Sequence, residues 1–202
     1  MKDLLDLLIY KGSWITSGND VQYKMDKIND VLYISFQWTE SKTDWKQNFK
    51  FWVKPYRDMP DLWFAHKGFI ENYKSVREEI WNKINELNPI QVCILGYSHG
   101  AALATLCYED IKYNSPLITL YGFVFGSPRV VWLPSRKIKE RFSNLYNMQV
   151  RGDIVTKLPF NILGYFHVGY ILKAGKFRLL NRVKYHMIDQ YYNLFGEKDS
   201  TL

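Results

Sequence analysis

One serine in this chain stands in a sequence that suits a nucleophile. The apolar run Ile90–Leu95, broken only by Gln91, ends in Gly96-Tyr97-Ser98-His99-Gly100, and an Ala- and Leu-rich segment follows. Strand, sharp turn and helix in that order would hold Ser98 in a strained conformation with its hydroxyl exposed at the helix N-terminus. The flanking glycines let strand and helix pack closely. The alternative is an ordinary strand-to-helix turn whose serine only caps the helix.

A nucleophilic serine needs a base, because its hydroxyl is hardly ionised at neutral pH. Of the four histidines, only His167 and His186 follow Ser98 at a distance that lets a later loop present them. His99 is the direct neighbour of the serine, and neighbouring side chains on such a turn diverge, so it is a poor base. Its backbone N–H suits another role, as a donor to the oxyanion that forms during attack.

The base in turn needs a carboxylate that fixes its tautomer, and Asp153 is the best-placed acid. It follows a strand-like segment and a glycine, where the loops of an open α/β sheet present functional groups. Asp110 falls inside the helix after the serine, and Asp189 comes too late for the order serine, acid, histidine. Structural alternatives remain: Asp153 as a turn residue, and His186 as a histidine at a helix start.

The elements that would position these residues alternate between strand and helix. The patterns predict strands at Val21–Met25, Val31–Phe36, Gln91–Leu95, Ile118–Phe125 and Leu145–Val150. They predict a hairpin turn at Asp26–Asp30 and helices at Ile70–Leu87, Ala101–Lys112, Ser135–Phe142 and His186–Phe195. The alternation around a buried apolar strand predicts a three-layer α/β domain, and the length favours one domain over residues 1–202.

Composition narrows the class of protein. A hydrophobic content of 47% and an aromatic content of 17% exclude a disordered chain. The net charge of +7 favours peripheral contact with an anionic membrane surface, or serves solubility alone. Nucleic acid is not expected, since no compact Lys/Arg run with interleaved aromatic residues occurs. Cys93 and Cys107 fall on faces expected to be buried and are interpreted as core residues.

The first ten residues predict a short amphipathic helix. Asp3 and Asp6 interrupt the apolar stretch, and no signal-peptide cleavage site or membrane-length apolar run follows. These features favour a cytoplasmic location, which a removed leader would change.

Four further blocks accompany the serine motif in a fixed order between Val31 and Phe195. They are Tyr33–Thr39 with Asp44-Trp45, Ala65–Phe69, Phe125–Val130, and Gly152–Pro159 with Tyr165–Gly169. Together with Gly96–Ala104, they resemble the class 3 lipases, an α/β-hydrolase family that includes the fungal triacylglycerol lipases. The resemblance implies an α/β-hydrolase fold with a mostly parallel central sheet and flanking helices. It implies hydrolysis of lipid carboxylic esters through an acyl-enzyme, with no metal or other cofactor.

The resemblance also implies residue roles: Ser98 as nucleophile, Asp153 as acid and His186 as base, with His66 and His167 structural. The backbone N–H and hydroxyl of Thr39 would join the His99 N–H in the oxyanion hole. However, Gln37-Trp38 stands where the family usually has Arg-Gly. Losing that glycine removes backbone freedom, which makes the geometry of Thr39 the least certain part of the site.

The segment expected to form the lid, Glu40–Gln47, is mostly charged and carries Trp45 as its one large apolar residue. A lid that opens on an oil surface should expose an apolar face, so phospholipids, monomeric esters or short-chain acylglycerols are favoured over bulk triglyceride. Residues expected to contact substrate or form the lid are Trp38, Trp45, Tyr97, Phe160, Ile162 and Leu163. Core packing is the alternative for Phe160, Ile162 and Leu163.

Three functions therefore stay open. The first is a lipase or esterase with the Ser98–Asp153–His186 triad. The second is a phospholipase A1 or a feruloyl-type esterase on the same scaffold. The third is a lipase-fold binding protein without catalysis, an alternative raised by Gln37-Trp38.

Overall fold

A computed structural model describes residues 1–10, 13–37, 52–176 and 183–196. Its α-helices are α1 (Lys2–Tyr10), α2 (Lys67–Leu87), α3 (His99–Asn114), α4 (Arg136–Glu140) and α5 (Ile188–Tyr191). Its strands are β1 (Ile15–Ser17), β2 (Val21–Ile28), β3 (Val31–Phe36), β4 (Val53–Arg57), β5 (Trp63–His66), β6 (Gln91–Tyr97), β7 (Thr119–Phe125), β8 (Val131–Trp132), β9 (Leu145–Val150), β10 (Tyr165–Phe166) and β11 (Tyr170–Ala174). Short 3₁₀ turns cover Val155–Lys157, Asn161–Leu163 and Lys184–His186, and a π turn covers Tyr192–Gly196.

The central sheet has the strand order β1-β2-β3-β6-β7-β9-β11 in the described residues. The strands from β3 to β11 in that order run parallel, whereas β1 and β2 are antiparallel additions at one edge. The carboxyl ends of the parallel strands therefore meet at one edge of the sheet. In open α/β sheets this edge is where ligands bind.

Helices cover both faces of this sheet, which confirms the expected three-layer α/β architecture. Alternate residues of β6 show the two layers: Val92 and Ile94 pack with α2 and α3, whereas Cys93 and Leu95 pack with α1 and the C-terminal turns. A strand buried on both faces must be apolar throughout, and this explains its continuous hydrophobic run.

A second, four-stranded antiparallel sheet, in the order β10-β8-β5-β4, was not predicted from the sequence. Its strands are two to five residues long, too short for an alternating pattern to be distinguished from a loop. The sheet places His66 at the start of α2 and supports the turn at Asn161–Leu163, because the Trp132 indole N–H donates to the Leu163 carbonyl at 3.0 Å.

Several element boundaries differ from the predictions. The turn expected at Asp26–Asp30 is shorter, because β2 continues to Ile28 and leaves only Asn29 and Asp30 between the strands. Asn29 has a positive φ of 53°, which suits a tight two-residue hairpin turn. The helix expected at His186–Phe195 divides into a 3₁₀ turn, α5 and a π turn.

The predictions for the N-terminal helix and for the two cysteines are confirmed. The first ten residues form a helix whose Leu5 and Leu8 are fully buried. Cys93 and Cys107 are both buried and free, and burial raises the pKa of the Cys93 thiol to about 12. In the described part of the chain, no helix has both the length and the apolar content needed to cross a membrane.

Candidate active site

Ser98 occupies a strained turn between β6 and α3. Its φ and ψ are 57° and −123°, a conformation that residues with a side chain rarely adopt. The Ser98 N–H donates to the Phe125 carbonyl of the adjacent strand at 2.9 Å, which holds the turn against the sheet. Such strain persists only where the surroundings impose it, and it concentrates at functional sites.

The two glycines of the motif have the packing role that the sequence predicts. A Cβ on Gly96 would lie 2.5 Å from the Gly100 carbonyl oxygen and 2.8 Å from the Ala104 Cβ. A Cβ on Gly100 would collide with the Phe36 carbonyl oxygen and lie 2.6 Å from that of Gln37. The end of β3 therefore lies directly against the start of α3, beside the serine.

His186 is hydrogen-bonded to Ser98 on one side and to Asp153 on the other. Its Nε2 lies 2.7 Å from the Ser98 Oγ, and its Nδ1 lies 2.8 Å from the Asp153 Oδ2. Because a carboxylate only accepts hydrogen bonds, we assign the imidazole proton to Nδ1, which leaves Nε2 to accept the serine proton. The structure thus brings together Ser98, Asp153 and His186, the three residues that the family resemblance implies as a triad.

The Asp153 carboxylate is fully buried and held by three donors. The Val155 N–H donates to Oδ1 at 2.8 Å, and the Tyr191 hydroxyl donates to Oδ2 beside the His186 ring. Burying a carboxylate is costly unless it is hydrogen-bonded, so these donors stabilise its ionised form. Burial, followed by the nearby Asp153 charge, raises the pKa of Tyr191 well above 10.0, so Tyr191 remains a donor.

The contact of Tyr191 with Asp153 was not predicted from the sequence. A usable signal was present, because a buried tyrosine needs a partner for its hydroxyl and this tyrosine lies five residues past His186.

Tyr97 supports the base from the other side. It was expected on the substrate-contacting surface, but only 5% of it is exposed. Its ring stacks on the His186 imidazole, with centroids 5.2 Å apart and planes 18° apart, and its hydroxyl donates to the His186 backbone carbonyl. Tyr97 therefore fixes the position of the imidazole ring.

Gly126, directly after β7, leaves no room for a side chain beside the imidazole. Its φ is +61°, and a Cβ there would lie 3.0 Å from the His186 Cε1 and 3.1 Å from the Tyr191 Oη. We expect Gly126→Ala to displace the imidazole and lower kcat on a soluble ester by about 100-fold. It should also destabilise the fold by about 1 kcal/mol through its positive φ.

Gly175→Ala is the matched control for this prediction. Gly175 has a φ of +81°, but its Cβ would meet only the flexible end of Leu194 at 3.1 Å and Val150 at 3.8 Å. Steady-state kinetics and urea unfolding on both variants separate backbone strain from displacement of the base. Equal kcat losses in the two variants would contradict the role assigned to Gly126.

His99 turns its side chain away from the base, toward α2. Its Nε2 lies 3.1 Å from the Asn72 Nδ2, and its ring lies 5.6 Å from that of Phe69. This placement agrees with the expectation that neighbouring side chains on the turn diverge. The His99 backbone begins α3, where N–H groups and the helix dipole favour negative charge.

Two other histidines hold the structure around the site. The His167 Nε2 donates to the Thr156 carbonyl at 2.8 Å, and its Nδ1 accepts from the Asn147 Nδ2 at 3.2 Å, which fixes the turn after Asp153 against β9. His66 is 1% exposed, and its ring packs against that of Phe69 with the centroids 4.4 Å apart and the planes tilted by 32°. Neither ring nitrogen of His66 has a hydrogen-bond partner in the described residues.

His66 should make the fold sensitive to acid. Burial lowers its pKa to about 4 from 6.5, so the unfolded chain takes up a proton between these values that the folded chain resists. Stability therefore falls as pH drops through this window, by about 2 kcal/mol between pH 7 and pH 5. Replacing His66 by Phe, which keeps a ring against Phe69, should remove that share of the pH dependence. Urea unfolding at both pH values measures it, and an unchanged pH slope in the variant would contradict the assignment.

The sequence profile of the family Lipase (class 3) matches residues 33–163 of this chain. The chain belongs to the class 3 lipase family. The match includes Ser98 and Asp153 but ends before His186, so the profile match does not itself cover the base. His186 is placed at the site by its hydrogen bonds to Ser98 and Asp153 in the structure.

Curated relatives of this class 3 lipase include a secreted mono- and diacylglycerol lipase A of Penicillium cyclopium, 30% identical over 149 residues. That match covers 71% of this chain and 48% of the relative. A phospholipase A1-II 5 of Oryza sativa subsp. indica is 35% identical over 109 residues, 50% of this chain and 23% of the relative. The chain thus spans about half the length of the Penicillium relative.

Solved structures of fungal lipases share the fold of this class 3 lipase. Lipase II from Rhizopus niveus superposes with a TM-score of 0.70 at 20% identity, over 81% of this chain and 66% of that one. The triacylglyceride lipase of Rhizomucor miehei superposes with a TM-score of 0.67 at 21% identity, over 80% and 64%. These superpositions, with the mostly parallel sheet, confirm the expected α/β-hydrolase fold.

The remaining predicted site residues fall into two groups. Trp38, Thr39 and Trp45, with the expected lid Glu40–Gln47, lie outside the described residues. Phe160, Ile162 and Leu163 lie on an exposed turn downstream of Asp153 and are not core residues. In the described part of this class 3 lipase, no group of three or more His, Cys, Asp and Glu side chains is placed to hold a metal ion.

Asp110, the acid set aside because it falls inside the helix after Ser98, has a structural role. It is buried and accepts hydrogen bonds from Arg57, Arg77, Tyr73 and Trp81. These donors lie in β4 and α2, so Asp110 ties α3 to its neighbours.

Proposed function

We propose that this class 3 lipase hydrolyses carboxylic esters of lipids through an acyl-enzyme on Ser98. The observation that carries the proposal is the continuous hydrogen-bonded series from the Ser98 Oγ through His186 to the buried Asp153. Family membership supports it, and so do the printed activities of the relatives, namely a mono- and diacylglycerol lipase and a phospholipase A1.

In the first half of the reaction, the Ser98 Oγ attacks the ester carbonyl while its proton passes to the His186 Nε2. Asp153 stabilises the resulting imidazolium through the Nδ1 hydrogen bond. The carbonyl oxygen becomes an oxyanion, which the backbone N–H of His99 at the start of α3 would bind together with Thr39. Collapse of the intermediate then expels the alcohol, which takes the proton from Nε2.

In the second half, water attacks the acyl-enzyme. His186 accepts a proton from that water through Nε2, and the same oxyanion site is used again. Collapse releases the carboxylic acid and returns the proton to the Ser98 Oγ. In both halves of the reaction, His186 therefore carries out each proton transfer and Ser98 carries the acyl group.

For the substrate, we favour phospholipids or partial acylglycerols over bulk triglyceride. The reason is the charged sequence of Glu40–Gln47, which offers an oil surface little apolar area. Of these two, the phospholipids correspond to a phospholipase A1 activity, which the 35% identity to the rice relative supports. Hydrolysis rates across acyl lengths and head groups would rank these substrates and a feruloyl ester.

The alternative of another class is a lipase-fold binding protein, which Gln37-Trp38 keeps open. A fluorophosphonate probe distinguishes the two, because its phosphorus bonds to an activated serine oxygen as fluoride leaves. We expect labelling at Ser98 in the native protein and none after heat denaturation or in Ser98→Ala. A folded protein that remains unlabelled would favour the binding protein and overturn the proposed function.

A further inference from the structure

The chain segment from Arg151 to Met187 carries almost all of the net positive charge. It contains seven lysines and arginines and a single acid, Asp153, so its formal charge is +6 against +7 for the whole chain. The Asp153 carboxylate is fully buried and hydrogen-bonded to His186, so it does not neutralise the exposed cations of the segment. The segment that holds the acid and the base is therefore strongly basic.

Four exposed cations of this segment form no ion pair within the described residues. Arg151, Lys173, Lys176 and Lys184 are all exposed, and within the described residues none of them forms an ion pair. The cations around α3 differ, since Arg57, Arg77 and Arg141 are paired with Glu109, Asp110 or Asp61. Positive charge is thus paired with acidic residues around α3, whereas Arg151, Lys173, Lys176 and Lys184 form no ion pair in the described part of the chain.

Exposed apolar residues lie on the same segment, on turns attached to the candidate catalytic residues. Ile162, in the turn downstream of Asp153, is 89% exposed. Val183 and Met187, which flank the turn carrying His186, are 71% and 54% exposed. The His186 imidazole is hydrogen-bonded to the Asp153 carboxylate. The turn after Asp153 and the turn that carries His186 therefore both belong to the surface around the site.

Two of these cations, Arg151 and Lys173, also lie close to one another. The Arg151 N–H donates to the Ala174 carbonyl at 2.8 Å, which places Arg151 beside Lys173 at the carboxyl end of β11. After burial, the positive charges of Arg129, Lys157 and Lys173 help to lower the pKa of His167 to about 4. The acid turn and the end of β11 therefore share one positive environment.

We propose that this basic face, formed by Arg151, Lys173, Lys176, Lys184 and the tips Ile162, Val183 and Met187, docks the protein on an anionic lipid bilayer. Lysines at the lipid surface attract anionic head groups, while the apolar tips enter between them. The docked orientation presents the carboxyl edge of the sheet, and with it Ser98, to the bilayer. The inference rests on the proposed function for its biological sense, but it is tested separately.

The first experiment measures sedimentation with vesicles of phosphatidylcholine alone or with about 30% phosphatidylglycerol. We expect binding only to the anionic vesicles, weakening as salt rises. The double variant Lys173→Gln/Lys176→Gln should bind about 30-fold more weakly. Lys27→Gln/Lys83→Gln removes the same charge at the amino edge of the sheet and should stay within about twofold of wild type.

Ile162→Ser tests the apolar tip and should weaken vesicle binding by about tenfold. Leu117→Ser is its control, because Leu117 is 96% exposed in the loop before β7, at the opposite edge of the sheet. Equal binding by the lysine variants and their control, or equal binding of neutral and anionic vesicles, would overturn the proposal. So would equally tight binding to single-stranded RNA, which would indicate a general polyanion surface.

The proposed function is assessed in the same proteins with a water-soluble ester. The Lys173→Gln/Lys176→Gln variant should hydrolyse it at the wild-type rate, since neither lysine contacts the triad. Vesicle binding without ester hydrolysis would count against the hydrolase and leave docking supported. Ester hydrolysis without vesicle binding would support the hydrolase and overturn the docking proposal.

Discussion

Ser98→Ala is expected to lower kcat on a soluble p-nitrophenyl ester by about 10⁴- to 10⁶-fold. The substitution removes the attacking oxygen, whereas His186 and Asp153 keep their mutual hydrogen bond at 2.8 Å. Ser35→Ala is the control, because Ser35 is equally buried and its hydroxyl has no hydrogen-bond partner in the described residues. Wild-type turnover by Ser98→Ala would refute the proposed mechanism.

Substitutions of Ser98 should change the stability of the fold as well as the activity. At a φ of 57°, any residue with a Cβ is strained, so Ser98→Gly should be more stable than Ser98→Ala by about 1 kcal/mol while equally inactive. Urea unfolding of the two variants measures the difference. If both have the same stability, the turn is not storing the strain that its dihedral angles indicate.

The parts of the fold that were predictable share one property, a long and regular pattern. The apolar strand β6, the amphipathic helix α2 and the glycines around Ser98 each leave a periodic or spaced signature. The order of serine, acid and histidine then favoured Asp153 and left His167 and His186 as candidate bases, and the family resemblance selected His186, which the structure brings within hydrogen-bonding distance of Asp153.

The parts that were not predictable depend on contacts between distant residues. The second sheet forms from strands of two to five residues that stabilise one another only after the chain has folded. The position of Tyr97 could not be inferred either, because stacking on His186 depends on how the C-terminal turns pack back on β6. Local patterns carry no information about such pairings.

Asp153→Asn is the second large effect, a loss of about 10⁴-fold in kcat with modest loss of stability. The amide oxygen would accept from Val155 in place of the Asp153 Oδ1, which turns the amide nitrogen toward the His186 Nδ1. That nitrogen is a donor, so Nδ1 must accept and the imidazole proton moves to Nε2. His186 can then no longer take the proton of Ser98.

Asp110→Asn provides the matched comparison, because Asp110 is also a buried, multiply hydrogen-bonded aspartate but binds arginines away from Ser98. Removing the charge of this buried carboxylate should destabilise the fold by about 2–3 kcal/mol, because Arg57 keeps Glu109 as a partner and Arg77 is partly exposed, and should leave kcat of the folded fraction unchanged. Asp153→Asn should therefore lower mainly kcat, because that carboxylate sets the tautomer of His186. Asp110→Asn should lower mainly stability, because that carboxylate neutralises arginines. Similar kcat values for Asp153→Asn and wild type would mean that the carboxylate only supports the turn, and His186 would then need another group to orient it.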